Sequence, residues 1–356
     1  MYKATGRPFV RSQNVGWGEL RLDDIAYIDD TTHVTFPATE IRTGDVLLNI
    51  TGASIGRSAV ATPELDGGNV NQHVCEIRLK RGVMDPYYVN AFLLSRAGQD
   101  QIDTFQAGGN RQGLNFQQVG SIEVPALDIS QQRAIGTASR DADSLIISLE
   151  RLITKKQAIK QGMMQELLTG RTRLPGFSTP WRKLRLGDVL TVRHGKNQKE
   201  VERSSGVFPI LATGGRIGWT DTALYDKPSV LIGRKGTIDR PQYQDSPFWT
   251  IDTLFYTEIV ASADPRFLFY VFLGVDWRSL NEASGVPSLS ASRVEGVPVE
   301  LPDVVEQRAI RAVLDECDGE ISLLRRRLAK ARSIKQGMMQ ELLTGRTRLP
   351  VQEAVP

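Results

Sequence analysis

Ile159-Lys-Gln-Gly-Met-Met-Gln-Glu-Leu-Leu-Thr-Gly-Arg-Thr-Arg-Leu-Pro175 returns letter for letter as Ile334 to Pro350, 175 positions later. The offset persists upstream, where Gln132-Arg-Ala-Ile135 returns as Gln307-Arg-Ala-Ile310. A period of about half the chain is too long for a solenoid and marks a duplicated half-molecule. Each half is a variable region followed by a shared helical segment. The variable regions are 1–128 and 176–303, the helical segments with their caps 129–175 and 304–350, and 351–356 is a tail.

Both helical segments open on a capping-box spacing, Asp128-x-x-Gln131 and Asp303-x-x-Glu306. Apolar positions then step by alternating fours and threes. They are Ile310, Leu314, Cys317, Ile321, Leu324 and Leu328 in the second copy, matched by Ile135, Ser139, Ala142, Ile146, Leu149 and Ile153 in the first. A 3.5-residue apolar period specifies a left-handed coiled coil. Gly170 and Gly345 end the helices and Pro175 and Pro350 stop them. About 40 residues at 1.5 Å each give helices roughly 60 Å long. Duplication predicts an antiparallel pair about a pseudo-two-fold axis, with a variable region at each end. Gly162 and Gly337 lie inside the helices, where glycine costs about 1 kcal/mol relative to alanine. Their recurrence predicts a close backbone approach, made by the helix pair itself or by a partner's helix.

The variable regions read as α+β. Short apolar runs bounded by Gly, Pro, Asn and Thr predict strands at Asp45–Ile50, Val74–Leu79, Val230–Ile232 and Thr253–Tyr256. Pro86–Ser95 and Pro265–Leu273 predict helices packed on them. The fold class is therefore two mixed α/β domains separated by a long antiparallel two-helix coiled coil.

Across 356 residues, 40% hydrophobic and 24% charged, the net charge is only +3 and the pI about 8.8. That balance points weakly to an acidic partner. Arg325-Arg-Arg327, Lys330, Arg332 and Lys335 concentrate positive charge on the second helix, as a solvated face or a nucleic-acid or subunit contact. Cys75 and Cys317 lie apart, without CxxC or Cys/His spacing, as expected of buried hydrophobes in a reducing compartment. No apolar run reaches the length of a membrane span, and the expected location is the cytoplasm. No phosphate-binding loop, metal-ligand spacing, adenine-methyltransferase signature or nuclease carboxylate–lysine cluster is present, so neither a catalytic nor a metal residue is expected.

Loops of amide and cationic side chains recur instead. Arg and Lys match guanine O6/N7 and Asn and Gln match adenine N6/N7, so these types read a DNA major groove, although polar turns use them too. The candidates are Arg11, Gln13, Asn14, Asn110, Arg111, Gln112 and Asn115 in the first region. In the second they are Lys196, Lys199, Arg216, Arg234, Lys235, Ser288 and Ser290. Gly162, Gln165, Gly337 and Gln340 are candidate partner contacts on the helices.

Gly44-Asp-Val-Leu-Leu-Asn-Ile-Thr-Gly-Ala-Ser-Ile-Gly56 and Asn69-Val-Asn-Gln-His-Val-Cys75 resemble a recognition domain of the specificity subunit of type I restriction-modification enzymes. Gly215-Arg-Ile-Gly218, Ile232-Gly-Arg-Lys-Gly236 and Trp249-Thr-Ile-Asp-Thr253 resemble a second, and Lys335–Gly345 resembles the family's helical regions. The resemblance covers nearly the whole chain. It implies a non-catalytic subunit whose two domains each read half of a bipartite double-stranded DNA site, with the helices setting the spacing. It further implies two docked methyltransferase subunits and two motor-nuclease subunits beyond them, which would use S-adenosylmethionine, ATP and Mg. A coiled-coil scaffold with protein-binding end domains is the alternative reading. One departure stands out: Gly6–Val10 aligns with Gly206–Ile210, yet 30 residues, 176–205, precede the second copy's match within its half and five precede the first. Either the chain starts short or another segment completes the first domain.

Overall fold

The computed structural model describes residues 2–106 and 113–350; Asn110, Arg111, Gln112 and the tail 351–356 lie outside them. The chain forms two compact units, Met1–Arg151 with Arg325–Pro356, and Leu152–Leu324. The units cut across the sequence divisions, because each takes half of both long helices.

In chain order the first unit lays down β1 (Arg7–Val10), β2 (Ala26–Ile28), α1 (Asp30–His33), β3 (Val46–Asn49), β4 (Ser58–Val60), β5 (Asn69–Val70) and β6 (Val74–Ile77). Then come α2 (Pro86–Leu94), α3 (Arg96–Gln106), α4 (Phe116–Gly120) and the long α5 (Ile129–Leu167). The strands make two sheets, β2-β1-β5 and β4-β3-β6. Strand β3 is buried at every position because both its faces are covered, and its first three residues are apolar without a break. Leu47 joins Val10, Ile41 and Leu65 on one side, while Val46 and Leu48 join Phe92 and Ile135 on the other.

The second unit adds β7 (Arg182–Arg185), β8 (Leu190–His194), β9 (Glu202–Arg203), β10 (Phe208–Ala212), β11 (Gly215–Thr220), β12 (Ser229–Gly233) and β13 (Gln242–Gln244). It continues with β14 (Trp249–Thr250), β15 (Leu254–Ile259), α6 (Pro265–Gly274), α7 (Ala291–Glu295), β16 (Pro298–Leu301) and the long α8 (Val304–Leu343). Its sheets are β14-β10-β11-β9, β13-β12-β15-β8 and β16-β7. The duplication is visible in the pairing. β1 lies antiparallel to β2 and parallel to β5, as β10 lies to β11 and β14. The central trio β4-β3-β6 repeats β13-β12-β15.

Within each unit the two long helices run antiparallel. Lys335 pairs with Asp143 at 2.5 Å and Arg332 with Glu150 at 2.5 Å in the first. In the second, Lys156 pairs with Glu320 and Lys160 with Asp318, both at 2.6 Å. All twelve seam positions are buried or half-buried. The identical segments do identical work: Met163, Met164 and Leu167 complete the second unit's core, and Met338, Met339 and Leu342 the first's.

Each helix start is latched to its domain by a buried glutamine. Gln132 Oε1 accepts from Asp85 N at 2.9 Å, and its Nε2 donates to Leu127 O at 2.7 Å. Gln307 repeats this with Asp264 N at 2.8 Å and Pro302 O at 2.9 Å. Asp85 and Asp264 are themselves the N-caps of α2 and α6, each followed by proline. The predicted capping boxes close only in part. Asp303 Oδ1 accepts from Glu306 N at 3.0 Å, but the Glu306 carboxylate turns away to Arg173 Nε and Nη2, both 2.6 Å, and to Trp181 Nε1 at 3.2 Å. Gln131 likewise leaves the helix start and donates to Leu349 O at 2.9 Å. A tertiary charge partner outbids a local backbone bond.

Candidate functional site

In the second unit Lys196, Arg234 and Lys235 gather at one end of the β13-β12-β15-β8 sheet, while Arg216 lies on β11 of the other sheet. Lys196 N donates to Thr250 O at 2.8 Å, and Trp249 Nε1 donates to Lys196 O at 2.9 Å. Arg234 N donates to Thr253 O at 2.8 Å, Leu289 N donates to Arg234 O at 2.9 Å, and Lys235 bridges to Ser288. Three separate loops are thus stitched together by backbone bonds, leaving their side chains for other use. Gly195 makes this possible, since a Cβ there would sit 2.0 Å from Ile251 O. The side chains of Lys196, Lys199 and Lys235 are exposed and make no hydrogen bond or ion pair among the described residues. Arg234 Nη1 reaches Asp252 O at 3.2 Å, and Arg216 lies over the Trp219 ring with 4.4 Å to its centroid. Ser290 is committed otherwise: its hydroxyl accepts from Arg293 N at 3.3 Å and caps α7.

The first unit builds the same frame. Ile50 N donates to His73 O at 3.0 Å, Leu114 N donates to Ile50 O at 2.8 Å, and Thr51 bridges to Gly113. Ile50 therefore stands where Arg234 stands, Thr51 for Lys235, and His73 for Thr253. Gly52 and Gly236 follow with φ of +70° and +87°. The frame carries a hydroxyl and an imidazole, Thr51 Oγ1 and His73 Nδ1 being 2.6 Å apart. Residue types alone did not single out Thr51. The signal was the register of Asp45–Gly52 against Ser229–Gly236, in which both runs end at a positive-φ glycine.

The other first-region candidates lie elsewhere or serve the fold. Arg11 Nη2 donates to Asp24 O at 2.8 Å and Gln13 Nε2 to Asp24 Oδ2 at 2.7 Å. Asn14 is buried, with its amide spent on Arg11 N and Arg21 O, so it holds a turn and is not offered to a groove. Asn115 and Gln118 form a capping box on α4. On the helices, Gly162, Gln165, Gly337 and Gln340 are all exposed. A Cβ on Gly162 or Gly337 would meet nothing within 4 Å, so the helix pair does not supply the close approach expected there.

Residues 179–332 match the type I restriction modification DNA specificity domain. The candidate MjaX specificity subunit of type I restriction enzymes from Methanocaldococcus jannaschii is 20% identical over 97% of this chain and 88% of its own. The MjaVIII specificity subunit of the same organism is 20% identical over 87% and 80%. Over most of its length the chain is similar to type I specificity subunits. The fold agrees: the crystal structure of a type I restriction-modification S subunit from M. genitalium superposes with a TM-score of 0.67 at 15% identity, over 96% of this chain and 90% of that one. Among the described residues no helix is long and apolar enough to cross a membrane, and no group of three or more His, Cys, Asp or Glu is placed to hold a metal.

Proposed function

We propose that each loop end reads one half of a bipartite double-stranded DNA target, within a cytoplasmic complex whose chemistry resides in partner subunits. The repeated backbone frame carries this reading. At equivalent positions it holds Arg234-Lys235 in one unit and the buried Ile50 with the half-buried Thr51 in the other, so Thr51 stands on the same frame where Lys235 stands. Two methyltransferase subunits would dock on the helices and two motor-nuclease subunits beyond them, using S-adenosylmethionine, ATP and Mg. The open space over Gly162 and Gly337 supports two equivalent docking places.

Binding by the assembled complex tests the reading. Lys196→Ala and Lys235→Ala should weaken binding to every sequence and lower the salt slope by about one each. Arg234→Ala should relax base preference in one half-site at about 1–3 kcal/mol, and Thr51→Val should act only on the other half. Unchanged salt slopes would favour the scaffold reading, and an effect of Arg234→Ala on both halves would end the one-unit, one-half assignment.

Helix length is proposed to set the half-site spacing. Deleting one heptad from each helix, 146–152 and 321–327, keeps both apolar registers and shortens each by about 10.5 Å. The preferred spacer, selected from a random-spacer library, should shrink by up to about three base pairs with the half-site sequences unchanged. An unaltered spacer in the folded deletion variant would contradict it.

A further inference from the structure

The second unit carries a contiguous segment whose two strands have no counterpart among the described residues of the first. In the second, β8 pairs along β15 from Phe255↔His194 to Ile259↔Leu190, and β7 pairs with β16. Both strands come from Arg182–His194, which also buries Leu186, Leu190 and Val192 in that unit's core. In the first unit β6 takes the place of β15, pairing with β3 as β15 pairs with β12. There the sheet ends at β6 among the described residues, and the stretch before α5 that corresponds to β16 forms no strand.

Burial follows the same division. Val294 and Val297, beside β8 in the second unit, are buried; their counterparts Val119 and Ile122 are only half-buried. Phe116, at the head of α4, is 74% exposed. On β6 itself, the Glu76 carboxylate pairs through Oε1 with Arg78 Nη2 at 2.5 Å, while its Oε2 is shut off from solvent without a hydrogen-bond partner among the described residues. Glu76 occupies the place of Tyr256, whose cross-strand partner is Arg193 on β8. A missing strand, uncovered apolar residues and an unpartnered buried oxygen all lie along one edge.

The geometry points to β6 as an acceptor edge that takes a fourth, antiparallel strand. Its occupant is an extended segment with the chemistry of Arg182–His194, apolar at the alternate positions Leu186, Leu190 and Val192. Strand addition satisfies the open backbone groups of such an edge and gives specificity through alternate side chains. The inference goes beyond DNA reading and does not depend on it.

A synthetic peptide of the sequence 182–194, titrated onto the full chain and followed by amide hydrogen exchange, tests it. The amides of residues 74–79 should slow by about tenfold or more, while those of β15, already paired with β8, stay as they were. In the second unit Val192 N turns away from β15 to Glu295 Oε1, so the ladder donors are its neighbours, and a peptide carrying Thr191→Pro should give no protection. Three results would overturn the inference: no protection of 74–79 at any peptide concentration, protection confined to β15, or equal protection by the proline peptide. So would amides of 74–79 that exchange as slowly as those of β15 before any peptide is added.

Discussion

Arg173→Ala should destabilise the second unit by about 3–5 kcal/mol, the cost of leaving a buried carboxylate without its partner. Glu306 has a side chain only 1% exposed, and Arg173 grips it through two hydrogen bonds of 2.6 Å. Removing the guanidinium leaves Trp181 Nε1 as the remaining side-chain donor. Glu306→Gln should cost less, about 1–3 kcal/mol, because the amide oxygen can still accept from Arg173 Nη2 and Trp181 Nε1, while its NH2 then faces Arg173 Nε. The first unit carries glutamine, Gln131, at the matching position. Arg173→Ala with Glu306→Leu should recover much of the loss, since an apolar pair leaves no stranded charge. Urea unfolding monitored by tryptophan fluorescence, four of the five tryptophans lying in this unit, would measure all three. A double variant no better than Arg173→Ala alone would show that the cost lies in packing around the arginine stem and not in the charge.

Glu76→Gln should stabilise the first unit, and by an amount that depends on pH. Burial and the nearby Asp45 carboxylate push the Glu76 carboxyl up to about 7, although Arg78 pulls the other way. Below about 4.5 the carboxyl is protonated in both folded and unfolded chains, and nothing is lost. As pH rises towards 7 the unfolded chain ionises freely while the folded one holds its proton, so stability falls, and the loss is complete above 7. A rise from 4.5 to about 7 corresponds to a penalty of about 3 kcal/mol at pH 8. The glutamine variant escapes it and leaves Arg78 paired with Asp45 at 2.8 Å. Thermal melts should show a raised Tm at pH 8 and a small change at pH 5. An equal gain at both would mean that the carboxyl is ionised throughout.

Much of the architecture was legible because hydrophobic periodicity and duplication are local signals. The spacing from Ile135 to Ile153 and from Ile310 to Leu328 delivers both long helices and their seam. Asp-Pro followed by an apolar run delivers α2 and α6. What misled was competition between partners. Glu306 has the right spacing for a capping box, but an arginine 133 residues away holds it. The site was legible in kind and not in detail. Asn115 and Ser290 have the chemistry of base readers, yet each sits one residue before a short helix and caps it. Lys196, Arg234 and Lys235 are brought together by backbone bonds between loops, which no single stretch of sequence displays.

The way each compact unit draws on both halves of the sequence has a consequence for chains of a single period. Residues 152–324 make one unit, and its core is closed by Met163, Met164 and Leu167, which precede the domain they complete. A chain running only from 176 to 350 would carry its own copy of those residues at the far end of α8, the end that in the full protein closes the other unit. Such a half-length chain would therefore have to pair reciprocally with a second copy, each lending the other its methionines, to rebuild the duplicated molecule as a symmetric homodimer.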